Sequence, residues 1–282
     1  MDKRVFLPGV WFPEAYAARR ATGRVPQELS FQSKPQVAAT MVQAIVRAGL
    51  LPFKYVVADC LSGQSPDFLD AVDACGGVTT FVAIPADTRC WLQRPCTQDK
   101  TYIYTGDARS KRVVVAPHSA PSSVAAVAAS LPMSSWYQRT VSEGTKGPMT
   151  YAFARQRVTL CKDGLPDRPV WLVIKRTLGG EPTYSYYISP APASTSLRTF
   201  VWLSGLRWAV EQCFEEGKTE LGMAHYAVRT YPGWHPHRLM TMLAHFCLWH
   251  LKLRLGEKSS RADGVAAAEI IGRRLALAHR DD

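Results

Sequence analysis

Cysteine is scarce in this 282-residue chain, and its spacing is unhelpful for cross-linking. The seven cysteines are Cys60, Cys75, Cys90, Cys96, Cys161, Cys213 and Cys247. None forms a C-x-x-C pair, and the count is odd. Both facts argue against a disulfide framework or a cysteine-held zinc cluster and fit a reducing cytoplasm. An uninterrupted apolar run of the ~18 residues that a spanning helix needs is also missing. No secretory leader is recognisable at the start, and no internal repeat is found. Acidic residues are under-represented as well. There are 23 Asp and Glu against 34 Lys and Arg, which gives a formal net charge of +11. Such an excess favours an acidic polymer as partner, with nucleic acid first among the candidates. A basic surface kept for solubility would give the same count.

What is present is ample for a globular protein. Hydrophobic residues make up 47% and charged residues 20%, which excludes a disordered chain. The length allows one large domain or two small ones.

The first ninety residues alternate between helical and strand patterns. Residues 4–8 read as strand-like. Ser33 is expected to cap a helix that runs to about Gly49, with Pro35 in its first turn. Phe53 to Ala58 reads as a buried strand that delivers Asp59 at its C-terminal end. Gly63 is expected to break the chain. Ser65-Pro66-Asp67 opens a second helix carrying Phe68, Leu69 and Val72, stopped by Gly76-Gly77. Thr79 to Pro85 is a further strand. This alternation indicates an α/β sheet, in which active groups gather at the C-terminal ends of strands.

Residues 93–190 read differently. They are rich in Thr, Ser, Pro and Lys up to residue 148. Three strand-like segments follow, over 150–160, 169–176 and 183–188, separated by Lys162-Asp163-Gly164 and Gly179-Gly180. They indicate a mostly β insertion or an extension of the sheet. From Ser194 the pattern is helical. One helix is expected from about Ser196 to Leu221, a loop at Tyr231-Pro232-Gly233, an apolar helix over 236–255, and a last helix with Ile270, Ile271, Leu275 and Leu277. The expected division is 1–92, 93–190 and 191–282.

Arg207, Glu211 and Lys218 fall at offsets of four and seven on the long helix. At ~100° per residue they lie within about 40° of each other on one face. A carboxylate suits a hard cation such as Mg²⁺, and Arg and Lys suit phosphate. Simpler readings stand beside this one. Glu211 could merely pair with Arg207 one turn back, and Asp59 could merely cap a turn. Glu215, one turn from Glu211, is the fallback ligand. The histidines between His225 and His250 match no helical ligand pair, and Cys60 has no histidine beside it in sequence.

The pattern R-x3-E-x6-K over Arg207, Glu211 and Lys218 resembles the Y-x2-R-x3-E-x6-K signature of DDE-type bacterial insertion-sequence transposases. Val56-Val57-Ala58-Asp59, followed by Gly63, resembles the second-Asp motif of the same family. Leu7-Pro8, Trp11, Phe31, Lys34, Glu220-Leu221-Gly222, His225-Tyr226, Val228-Arg229 and Trp234-His235 look like further parts of it. The resemblance implies an α/β, RNase H-like core with a mostly β insertion between the second Asp and the Glu, and a helical C-terminus. It implies two-metal phosphoryl chemistry on DNA, with Mg²⁺ or Mn²⁺. It carries over Asp59 and Glu211 as metal ligands and Arg207 and Lys218 as DNA contacts. Transposon ends and target DNA are the implied partners, in a homodimer or larger complex, with no membrane.

Three positions depart from the family pattern. Ser204 stands at the signature Tyr, Ser62 stands where relatives often carry an aromatic residue, and the first catalytic Asp has no counterpart. The sequence therefore reads as an N-terminally truncated transposase, inactive as written. The rival readings are a non-catalytic DNA-binding or oligomerising remnant and an unrelated nuclease that uses Asp59, Glu211 and Glu215.

Overall fold

The computed structural model describes residues 3–104, 107–115, 120–144, 147–227 and 229–255. Residues 3–8 are irregular, not a strand. Lys34 rests on the Phe6 ring at 5.2 Å and Phe12 meets Phe31 edge-on at 5.8 Å, so side-chain packing and not a ladder holds this segment. A short helix α1 (Ala17–Thr22) precedes α2 (Lys34–Ala48). At Ser33 the side chain accepts from the Gln36 amide while the Gln36 side chain accepts from the Ser33 amide, a reciprocal capping box, and Gly49 closes the helix with φ 64°. Strand β1 (Tyr55–Ala58) leads into a one-turn helix, α3 (Cys60–Gly63), then α4 (Pro66–Asp73), capped by Ser65, and β2 (Thr79–Ile84).

Gly63 interrupts the chain as expected, between α3 and α4. It ends α3 against β2, where an added Cβ would lie 2.1 Å from the Ala83 carbonyl oxygen. Only glycine permits that approach.

The strands that follow are β3 (Arg89–Trp91), β4 (Thr97–Tyr104), β5 (Asp107–Val114) and β6 (Ser122–Ser123). A short helix, α5 (Val124–Ser130), follows. Next come β7 (Tyr137–Gly144), β8 (Gly147–Lys162), β9 (Leu165–Thr177) and β10 (Tyr184–Ser189). β4 and β5 form a separate hairpin. The others join one sheet in the order β1-β2-β10-β9-β8-β3-β6, with β7 also paired to β8. Only β1 and β2 are parallel; the remaining pairs are antiparallel. The sheet is thus mixed, and β1 stands at its end.

Side chains alternate between two apolar layers. One face, with Val82, Ile84, Leu172, Ile174 and Ile188, packs under α2, α4 and α5. The other, with Phe81, Phe153, Val173 and Tyr187, packs under α6 (Leu197–Thr219). Ser196 caps α6 by accepting from the Thr199 amide at 3.2 Å. The sheet curls around this helix: Trp202 meets Tyr55 of β1 at 6.4 Å, and a Cβ on Gly205 would lie 2.6 Å from Val141 of β7.

α7 (Tyr231–Leu255) follows. Tyr231-Pro232-Gly233 is its first turn, not a loop. Proline loses nothing there because its missing N–H would lack a helical partner anyway. The Thr230 hydroxyl accepts from the Gly233 amide at 3.3 Å. The expected helix around Ile270 and Leu275, and Val228 of the family pattern, lie outside the described residues.

Candidate functional site

Asp59 follows β1 directly, with extended backbone (φ −81°, ψ −178°). The strand alternation therefore carries through, and Asp59 shares the face of Tyr55 and Val57, the one that α6 covers. Ala58 pairs with Val82, so Asp59 stands level with Ala83 and, across β2, with Tyr187 of β10. Two strand spacings separate Asp59 from Tyr187, roughly 10 Å. The Asp59 carboxylate is exposed and accepts from the Ser62 amide at 3.1 Å, capping α3.

α6 runs toward the same end of the sheet. Near its start Phe200 packs on Phe81 (5.9 Å) and Trp171 (6.1 Å). Two turns later Arg207 acts electrostatically on Tyr187 and on Lys175, which lie level with Ala83 and two residues beyond it. Seven residues of helix rise about 10 Å, comparable with the few strand residues covered. Glu211, one turn further, accepts from Arg207 Nε at 2.9 Å, and both side chains are half or more exposed. Glu216 lies about 140° around the helix from Glu211. It turns instead to α7, where it meets His245 Nε2 at 3.0 Å. Lys218 is exposed in the last turn of α6.

Tyr187 thus lies between the Asp59 turn, through Cys60, and Arg207, which carries Glu211 as its ion-pair partner. Burial raises the pKa of the Tyr187 phenol; Ser185 and Arg207 pull it down and Cys60 pushes it up. Burial lowers that of Lys175; Tyr151 opposes this and Arg207 adds to it. Lys175 and Tyr187 belong to no motif. Only the register of β9 and β10 under α6 brings them here, and a linear pattern carries no such signal.

Both simpler readings of the two carboxylates are realised: Asp59 caps a turn and Glu211 pairs with Arg207. Neither use exhausts a carboxylate, which has about four acceptor positions. Hard oxygen donors of this kind fit Mg²⁺ or Mn²⁺, and Mg²⁺ is commonly held by one or two carboxylates plus substrate phosphates. Among the described residues no group of three or more His, Cys, Asp or Glu could hold a metal. Ser204, at the signature Tyr, is buried and donates to the Val201 carbonyl at 2.7 Å, so it faces the core and not the site. A cavity of about 540 Å³ opens elsewhere, on the opposite sheet face beside Leu69, Ile84, Lys162 and Arg168, and contains neither carboxylate.

A mixed α/β sheet followed by a helical C-terminal region is consistent with the fold of a DDE nuclease. The family model described as DDE superfamily endonuclease matches residues 1–148. That is more than half of the 282 residues, and the chain belongs to this family. The match contains Asp59; Arg207, Glu211 and Lys218 lie beyond it. Comparison with curated proteins gives no match. DDE nucleases generally use divalent metal ions and act on DNA. No helix among the described residues is long and apolar enough to cross a membrane.

Proposed function

We propose that the chain is the catalytic part of an insertion-sequence transposase that grips DNA at the Asp59–Glu211 end of the sheet. The observation that supports this reading is that Arg207, which pairs with Glu211, acts on Tyr187, the residue level with Asp59 across β2. The RNase H-like description of the core, the division at 92/93 and 190/191, and strand transfer after cleavage belong to the same proposal.

Asp59 and Glu211 would hold the divalent metal, which supplies an activated attacking oxygen and stabilises the leaving one. The protein's own groups do the rest. Arg207 holds Glu211 in place through its Nε and leaves its remaining guanidinium N–H groups for a phosphate oxygen. Lys218, eleven residues on, reaches the DNA backbone about 16 Å along the helix axis. Residues 1–282 supply two of the three carboxylates that the resemblance calls for. This chain alone is therefore expected to bind DNA and not to cut it. Association with a second copy on DNA is supported by the exposed apolar residues Val210, Phe214 and Phe246 on α6 and α7.

Anisotropy of a labelled duplex at increasing salt tests the reading. We expect binding that weakens steeply with salt, and a flatter dependence for Arg207→Gln and Lys218→Gln, each by about 0.9 in the log–log slope. Absence of binding, or binding indifferent to salt, would overturn it.

A further inference from the structure

We propose that Lys175, on β9, is a DNA-phosphate contact that extends the candidate site across the sheet, with Tyr151 as its platform and Arg207 as its neighbour. This assignment rests on the function proposed above and adds a residue that neither the family match nor the helical motif contains.

Register places Lys175 on the α6-covered face. It pairs with Phe153 on one side and Ser185 on the other, and both point to that face. Its ammonium lies 4.7 Å from the centroid of the Tyr151 ring, which fixes where the charge sits. Tyr151 pairs in turn with Arg139 of β7, a further exposed cation on the same face. Arg139, Lys175 and Arg207 thus run from β7 toward Asp59, with Tyr151 and Tyr187 among them.

The charge balance of this row points outward. Arg207 has Glu211 as counter-ion, but among the described residues no carboxylate lies within ion-pair distance of Lys175. Lys175 is only partly exposed and sits near a second cation, and both conditions disfavour its charged form. A fold that keeps a lysine so placed gives up stability. A phosphate oxygen would offset both costs, because its negative charge opposes that of Arg207 and its acceptor replaces the water that burial removes from the ammonium. An acidic peptide would meet the same cations, but the aromatic rings among them also suit the bases that accompany each phosphate, which favours a nucleic acid.

The test compares the wild-type chain with Lys175→Gln, Lys175→Arg and, as control, Lys162→Gln in the β8–β9 turn. Duplex binding is measured against salt, and each variant is melted. We expect Lys175→Gln to weaken binding and flatten the log–log salt slope by about 0.9, one phosphate contact. Its melting temperature should rise, since a disfavoured charge is removed. Lys175→Arg should restore the slope, and Lys162→Gln should leave it unchanged. Amine-reactive labelling of the wild-type chain gives a readout independent of any variant: DNA should protect Lys175 and not Lys162. An unchanged slope together with unprotected Lys175, in a chain that binds DNA, would overturn this assignment alone. A wild-type chain that binds no DNA would overturn the proposed function and the assignment with it.

Discussion

Asp59 holds two jobs that substitution can separate. Its carboxylate caps α3 through the Ser62 amide, and asparagine caps as well as aspartate. Asp59→Asn should therefore melt close to wild type, whereas Asp59→Ala should lose about 1 kcal/mol. Both should lose metal-dependent behaviour equally, because neither offers an ionised oxygen. Equal melting of the two variants would show that the cap contributes nothing. Glu211→Gln removes a half-exposed ion pair and should change stability by ~0.5 kcal/mol or less. Lys175 adds a pH dependence. Burial, and then Arg207, holds its folded-state pKa below the unfolded value, with Tyr151 opposing. The unfolded chain therefore binds more protons between the lowered value and the ordinary lysine range near 10.5, and stability contributed by this residue rises with pH through that window. The melting advantage expected of Lys175→Gln should accordingly shrink as pH is raised. An advantage that grows with pH would contradict the assigned charge state.

At the scale of elements, the termini of α2, α4 and α6 were legible because their signals are local. Ser33, Ser65 and Ser196 each accept from an amide three residues on, as the sequence suggests. The strand ending at Asp59 was legible from its apolar run. The irregularity of residues 3–8, the helical role of Tyr231-Pro232-Gly233, and the reason for Gly63 were not, because each depends on what the segment packs against. Gly63 is the sharpest case. A Cβ there meets backbone, not a yielding side chain, so Gly63→Ala should cost about 1–3 kcal/mol and disturb the turn that holds Asp59. A wild-type melting curve for that variant would show that α3 and β2 can separate freely. For the candidate site, Asp59, Arg207, Glu211 and Lys218 could be picked out by motif. Lys175 and Tyr187 could not, because strand register across β9 and β10 is a long-range outcome.

Across the whole molecule, the position of β1 at the end of the sheet leaves one side of its backbone without a ladder partner among the described residues. The Thr79 amide bonds to the Lys54 carbonyl, so Lys54, Val56 and Ala58 face β2 while Tyr55 and Val57 face outward. Hydrogen exchange should be faster at the amides of Tyr55 and Val57 than at Val56 and Ala58. Slow, uniform protection along β1 would mean that something covers this edge. An open edge beside Asp59 also bears on activity, since strand edges readily accept another strand. The most direct measurement is Mg²⁺- or Mn²⁺-dependent nicking of DNA by this chain, run beside duplex binding and with Asp59→Ala and Glu211→Ala as controls. We expect salt-sensitive binding without cleavage. Cleavage by the wild-type chain that both substitutions abolish would contradict this, and would mean that residues 1–282 already hold a complete catalytic site.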